Sequence, residues 1–458
     1  MHDLQPLRDY FNSGATRPYA WRCQQLQKMR QMITDNETAI QAALYADLKK
    51  SPEEAYGSEI GLVHTEISHM LKHLKGWMRP RRAGTNLVNW PSSSRLYRDP
   101  LGVIFVIAPW NYPIQLSLLP VAAALAAGNT VVLKPSELAP ATAAILEKLL
   151  TAVFPPELVR VIKGDGATLV PQLINEFRFD HIFFTGSVAV GRSIYQQAAA
   201  QLIPVTLELG GKSPVVVAED ADLTTAARRI VLGKFINAGQ SCIAPDYLLV
   251  HTAIKNDLLQ HLQQTIKDFY GETPEESADY GKIINERRFD ALVSHLTNPA
   301  AAAARIVCGG QYNREKLFIA PTILETTSDH SLMKEEIFGP LLPVVCYNTM
   351  EEALAIIRQH PDPLSFYLFT RNKQLQSSWI ENVAFGSGCI NNTVWHFANP
   401  HLPFGGIGKS GIGAYHGKRS FDAFTHIKPV MRTPVFPDPA IKYPPFEGKM
   451  KWFKFFFK

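Results

Sequence analysis

Cysteine is scarce here: there are five in 458 residues, Cys23, Cys242, Cys308, Cys346 and Cys389. The number is odd, the spacing is wide and no CxxC pair occurs, which argues against a disulfide framework and a zinc site and suits a reducing setting. No apolar run approaches the roughly 20 residues needed to span a bilayer. The start, Met1-His2-Asp3-Leu4-Gln5-Pro6-Leu7-Arg8-Asp9, lacks the apolar region of a secretory signal. The expectation is therefore a soluble, cytoplasmic protein. An excess of one charge is also missing, since 46 basic residues face 41 acidic ones for a net +5. With no block of like charge, a nucleic-acid stripe is not expected. Internal repeats and long low-complexity linkers are absent too.

What is present is apolar content of 46 % spread over 458 residues, enough for two or three domains. Up to about Arg79 the pattern is helical, with Leu26, Met29 and Ile33 at three- and four-residue spacing. From Ala83 to Pro100, Gly, Asn, Pro and Ser surround short β-type stretches at Leu87–Trp90 and Arg95–Arg98, which reads as a projecting hairpin. Between Gly102 and Leu209, apolar strands alternate with helices: Val103–Ile107, Val131–Leu133, Val159–Ile162, His181–Thr185 and Val205–Leu209 are the strands. Such alternation implies an α/β domain with a Rossmann-like parallel sheet that binds nucleotides at its strand ends. A second α/β pattern starts at Pro214–Val217 and a helix near Leu223–Phe235 capped by Asp220 or Asp222. The expected division is 1–82 with 101–208 for the cofactor domain, 209–421 for the catalytic domain, and 83–100 with 422–458 for a bridging hairpin and tail. That tail is Pro-rich, then aromatic and basic through Lys451-Trp452-Phe453-Lys454-Phe455-Phe456-Phe457-Lys458.

Several residues could carry chemistry, and each has a plain structural alternative. Cys242 ends Gly239-Gln240-Ser241-Cys242, a glycine-bearing turn that would set a nucleophile at a loop end, or a structural thiol. Asn111 follows a strand in Pro109-Trp110-Asn111-Tyr112-Pro113, where its amide could face an oxyanion or simply open a helix. Lys134 and Glu137 lie just past a strand, placed for ribose hydroxyls or for solvent. Gly186-Ser187 forms a strand-to-helix junction suited to a phosphate, without the full glycine fingerprint. Glu208, among leucines in Leu207-Glu208-Leu209-Gly210-Gly211-Lys212, would have a raised pKa if buried and suit a general base. Glu336 and Phe338 sit in Glu335-Glu336-Ile337-Phe338-Gly339-Pro340. His401, His416 and His426 lack metal-ligand spacing and are read as structural, so no metal is expected.

These segments, in this order from about Tyr10 to His426, resemble the aldehyde dehydrogenase superfamily, and most closely its class 3 branch of fatty and aromatic aldehyde dehydrogenases. The resemblance implies NAD(P)-dependent oxidation of an aldehyde to the acid. Cys242 would attack the carbonyl, Asn111 and the Cys242 N–H would hold the oxyanion, and Glu208 would activate the water that hydrolyses the thioester. It further implies that Lys134 and Glu137 hold the adenine ribose, Gly186 and Ser187 the pyrophosphate, and Glu336 and Phe338 the nicotinamide ribose and ring. Tyr112, Trp395 and His396 are expected to line the substrate funnel. A carboxylate at Glu137 favours NAD, with NADP also accepted. A homodimer is implied, and the tail could pack within it, cover the funnel or seat on an anionic membrane surface. Two other readings are a coenzyme A-acylating relative and a silent scaffold of the same fold. Glu208 speaks against the first, and Cys242, Glu208 and Asn111 together speak against the second.

Overall fold

The computed structural model describes residues 3–297 and 304–457. Met1, His2 and Lys458, named above at the two ends, lie outside the described residues.

Two largely parallel sheets organise the chain. In the first, strands run in the order Gly411–Ile412, Val205–Glu208, His181–Thr185, Val103–Ile107, Thr130–Lys134, Val159–Val161. All pairs are parallel except the edge formed by Gly411–Ile412. Val103–Ile107 is buried along its whole length, as a strand covered on both faces must be. Its side chains alternate between two cores. Ile104 and Val106 join the helices Tyr19–Asp35, Gly61–Met78 and Gln115–Ala127, whereas Val103, Phe105 and Ile107 pack toward Gly166–Glu176 and Val188–Ala200. From Val103–Ile107 the chain adds strands on one side and then returns to the other. The strand order therefore reverses beside Val103–Ile107, and the crevice at the carboxyl ends there is where open α/β sheets bind nucleotides.

The second sheet has the order Arg305–Cys308, Thr322–Glu325, Leu341–Tyr347, Tyr247–His251, Pro214–Val217, Ser365–Phe369, Ser387–Ile390. Only its Arg305–Cys308 edge is antiparallel. Helix Leu223–Phe235 is capped by Asp222, which accepts from the Thr225 N–H at 2.9 Å. Asp220 instead binds the Thr370 hydroxyl at 2.6 Å.

The hairpin expected at 83–100 differs in detail. Leu87–Asn89 is a short 3-10 turn, and Ser93–Pro100 pairs with Arg81–Ala83 on one side and Thr425–Arg432 on the other. Leu87 and Trp90 are exposed, and Pro91 has no N–H to give a ladder. The main partner strand lies more than 300 residues away along the chain, with Thr425 opposite Pro100 and Arg432 opposite Ser93. Gly411–Ile412 crosses in a similar way, pairing Gly411 with Glu208.

Candidate active site

Cys242 owes its position to a strained turn. After helix Leu223–Phe235, Asn237 (φ 52°, ψ 33°) and Ala238 (φ 51°, ψ 34°) are left-handed, and Gly239 follows at φ 74°. Non-glycine residues adopt this conformation only where surrounding contacts impose it. The Asn237 N–H donates to Glu54 Oε1 at 2.9 Å, and the Asn237 amide donates to the Asn111 carbonyl at 2.8 Å. Gln240, fully buried, donates to the Lys282 carbonyl at 2.9 Å and accepts from the Ile284 N–H at 3.0 Å. A Cβ on Gly239 would lie 2.4 Å from the Gly339 carbonyl oxygen, so only glycine lets the turn pass.

The turn delivers Cys242 to a cavity of about 560 Å³ whose wall includes Tyr112, Thr185, Glu208, Ser241, Trp395 and Tyr415. Burial pushes the thiol well above its ordinary range, with Glu336 and then Glu208 adding to the effect. The backbone N–H groups of Cys242 and Ile243 pull the other way. Glu208 is 2 % exposed and neither carboxyl oxygen has a hydrogen-bond partner among the described residues. Burial alone drives its carboxyl well above the usual range.

Asn111 is buried beside the turn, and its side chain donates to the Gln240 carbonyl at 3.2 Å. An asparagine amide carries two donor hydrogens, so one remains. The Asn111 carbonyl is also held by Lys50 Nζ at 3.1 Å, and Lys50 is paired with Glu59 at 2.5 Å, both fully buried. Glu59 in turn accepts from the N–H groups of Ile114 at 2.8 Å and Gln115 at 3.2 Å, where helix Gln115–Ala127 begins. One ion pair thus ties the Asn111 loop to its helix. Local pattern could not reveal it, because its partners are dispersed along the sequence.

Glu336 and Phe338 lie on a loop fixed from below. Lys212 pairs with Asp246 and donates to the carbonyls of Leu332 and Glu335, both at 2.9 Å. Asp246 accepts from the Ile337 N–H at 2.9 Å. Burial, then Asp246, pushes the Glu336 carboxyl up to about 8. Phe338 sets its ring edge-on to Trp110 at 5.4 Å.

The remaining expected cofactor residues gather at strand ends of the first sheet. Lys134 and Glu137 form an ion pair, and Glu137 also accepts from the Gly166 N–H at 2.9 Å. Burial raises the Glu137 carboxyl, but the Lys134 ammonium and the Gly166 N–H outweigh it and hold the group below its ordinary value. A Cβ on Gly166 would sit 3.1 Å from Lys134 Nζ and 3.3 Å from Glu137 Oε1. The pair Gly164 and Gly166 after strand Val159–Val161 is the mark of this place in the sequence. The Gly186 N–H donates to the Glu208 carbonyl at 3.0 Å. Ser187 caps helix Val188–Ala200, accepting from the Val190 N–H at 3.4 Å. A helix start capped by Ser187, an adjacent glycine and a Lys–Glu pair fit a phosphate-bearing dinucleotide.

Of the three residues expected to line the funnel, Tyr112 and Trp395 reach the cavity. His396 does not: its ring meets Ser387 Oγ at 2.9 Å and Cys389 Sγ at 3.3 Å. His401 and His416 border a separate cavity of about 220 Å³ with His69 and His73. Residues missed by sequence reasoning are Lys50, Glu54, Glu59, Gly166, Thr185, Asp246 and Tyr415.

Residues 8–430 match the aldehyde dehydrogenase family model. The family 3 member H1 aldehyde dehydrogenase of Arabidopsis thaliana is 46 % identical, over 98 % of this chain and 93 % of that protein. The 4,4'-diaponeurosporen-aldehyde dehydrogenase of Staphylococcus aureus is 44 % identical, over 98 % of this chain and 97 % of its own. A solved structure of Staphylococcus aureus AldH in its substrate-bound state superposes with a TM-score of 0.96 at 44 % identity, covering 99 % of this chain and 98 % of that one. The chain belongs to the aldehyde dehydrogenase family and is an oxidoreductase that oxidises aldehydes with NAD or NADP.

Proposed function

We propose that aldehyde oxidation runs through Cys242 as nucleophile, Asn111 as oxyanion donor and Glu208 as the base of hydrolysis. The carrying observation is that Cys242 shares one cavity with a buried Glu208 whose carboxyl has no hydrogen-bond partner among the described residues. The Cys242 sulfur adds to the carbonyl, and the free hydrogen of the Asn111 amide and the Cys242 N–H hold the resulting oxyanion. Preorganised donors of this kind are worth about 3–4 kcal/mol each. A bound nicotinamide supplies the acceptor for the hydride that leaves the tetrahedral carbon. Glu208 then takes a proton from the water that opens the thioester, releasing the acid. Lys134, Glu137, Gly186, Ser187, Glu336 and Phe338 would hold the cofactor. NADH formation measured with and without coenzyme A tests the scheme. Cys242→Ala should lose turnover, and coenzyme A should not accelerate the native enzyme. Stimulation by coenzyme A would favour the acylating reading.

Substrate and cofactor preference follow from the same walls. Leu62, Leu116, Leu232, Ile236 and Phe269 make the cavity largely apolar, which suits a medium- or long-chain aliphatic or an aromatic aldehyde. Each buried methylene is worth ~0.8 kcal/mol, or about fourfold in kcat/KM. Glu137, already held as a carboxylate, would repel a 2′-phosphate, so NAD is preferred and NADP is used less well. Comparing kcat/KM across an aldehyde series with each cofactor decides both points. A flat series, or a strong NADP preference, would overturn the corresponding assignment.

The protein is expected to act in the cytoplasm as a homodimer. In support, Thr425–Arg432 exposes Ile427 and Met431 at the edge of its sheet, followed by exposed Val435 and Phe436. Light scattering on the purified chain reads the mass directly. No described helix is long and apolar enough to cross a membrane. The short tail helix Met450–Phe456 exposes Trp452 and Phe455 among lysines, which leaves a peripheral contact open to liposome flotation.

A further inference from the structure

The reading of Glu208 as base leaves a question of position, on which the following inference rests. Around Glu208, polar atoms lack partners in one place. Among the described residues, Glu208 Oε1 and Oε2, Thr185 Oγ1 and Tyr415 Oη are all buried without a hydrogen-bond partner, and all three residues line the Cys242 cavity. Thr185 and Glu208 are direct cross-strand partners in the parallel pair His181–Thr185 and Val205–Glu208, so both side chains leave the same face of the sheet. Tyr415 is brought in by the chain that pairs Gly411 with Glu208 and then bridges Phe404 to Tyr415. It lies within electrostatic reach of both Glu208 and Cys242. Buried polar groups are ordinarily satisfied, and a group of unsatisfied ones around a cavity marks where a ligand or water belongs.

We propose that Thr185 and Tyr415 hold the hydrolytic water, together with Glu208, at the acyl-enzyme. The three residues do not bond one another directly, so a small molecule able both to donate and to accept must join them, and water is that molecule. Its oxygen accepts from the Tyr415 hydroxyl, and its hydrogens go to a Glu208 carboxylate oxygen and to Thr185 Oγ1. One lone pair remains for the thioester carbon on Cys242. As the carbon–oxygen bond forms, the water proton passes to Glu208. The carbon–sulfur bond then breaks, and Cys242 leaves as thiolate with the carboxylic acid as product. No electrons leave or enter in this step. Tyr415 and Thr185 therefore act on deacylation and not on the preceding attack.

Pre-steady-state measurement of NADH and acid formation in Tyr415→Phe and Thr185→Val tests the inference. Both variants should show an NADH burst with native rate and near-native amplitude, followed by acid formation slowed about 10–100-fold, the scale of misplacing a reacting group. Thr185→Ser, which keeps the hydroxyl, should recover most of the rate. Hydroxylamine, a nucleophile that needs no base to attack a thioester, should restore multiple turnovers in Tyr415→Phe and yield the hydroxamate. A merely structural role for Tyr415 would lower the burst itself, and hydroxylamine would not restore turnover; that outcome overturns the proposal. Glu208→Gln separates the two levels. If it turns over normally, the base assignment fails. If it bursts and stalls while Tyr415→Phe and Thr185→Val hydrolyse at the native rate, the base stands and the water site is wrong.

Discussion

Cys242 sits in an electrostatic setting that opposes the thiolate its proposed role requires. Its thiol is pushed up by burial first, then by Glu336 and Glu208, and only backbone N–H groups pull the other way. An unperturbed cysteine is half ionised at ~8.5 and levels off about one pH unit above that. In the cofactor-free enzyme, alkylation of Cys242 by iodoacetamide should therefore keep accelerating from pH 7 to 10 without a plateau. Removing the larger charge with Glu336→Gln should speed alkylation at fixed pH, and Glu208→Gln should do so less. A plateau near pH 8 would mean that the site stabilises the thiolate. The candidates Cys242, Glu208 and Asn111 could be picked from the sequence because each stands in a short segment whose neighbours mark it. Thr185 and Tyr415 were not, because a threonine ending a strand and a tyrosine after a glycine turn gain meaning only from the cavity they share. His396, expected beside Trp395 in the funnel, instead turns its ring to Ser387 and Cys389, while Val394 and Phe397 on either side line the cavity with Trp395.

Buried ion pairs, Lys50 with Glu59 and Lys212 with Asp246, hold the loops that carry Asn111 and Glu336. Lys50 and Glu59 connect helix start Gln115 with the Asn111 carbonyl. Breaking such a pair leaves a lone buried charge and costs about 3–5 kcal/mol, whereas replacing both partners by apolar groups is often neutral. Glu59→Ala should accordingly lower the urea midpoint and kcat together. The double variant Lys50→Met with Glu59→Leu should regain most of the stability but not kcat, because the Asn111 carbonyl has lost its Lys50 donor. Full recovery of kcat would show that Asn237 holds the loop unaided. Strands such as His181–Thr185 and Pro214–Val217 were read with their observed ends, since a strand covered on both faces is an uninterrupted apolar run. The two-residue strand Gly411–Ile412 has no such run. It exists through its pairing with Leu207 and Glu208, which local sequence cannot encode.

The whole molecule carries buried titratable groups that shift in opposite senses, and together they shape its stability with pH. His181 is held down to about 4 and His416 to about 3, in both cases chiefly by burial. Each binds its proton more weakly folded than unfolded, so its contribution is full above ~6.5 and is lost as pH falls toward 4. Glu54 and Glu66 are pushed up to about 7 and Glu336 to about 8, again with burial as the largest cause. These carboxyls bind protons more tightly in the folded chain. Their contribution is full below ~4.5 and is lost as pH rises through 7 to 8. Between ~4.5 and ~6.5 the two slopes oppose each other, while above ~6.5 only the carboxyl slope remains. Thermal stability should thus be nearly level from pH 5 to 6.5 and fall from 6.5 to 8. Glu66 lies outside the Cys242 cavity, accepts from the Gly417 N–H at 3.1 Å and faces His416 Nδ1 at 3.7 Å. Glu66→Gln keeps an acceptor for Gly417 and removes the charge, so it should flatten the fall between pH 6.5 and 7.5 while leaving kcat near native. His181→Gln should instead flatten the acid limb below pH 6. Melting curves of the three proteins across this range measure both effects, and an unchanged slope in Glu66→Gln would place the alkaline loss on other groups.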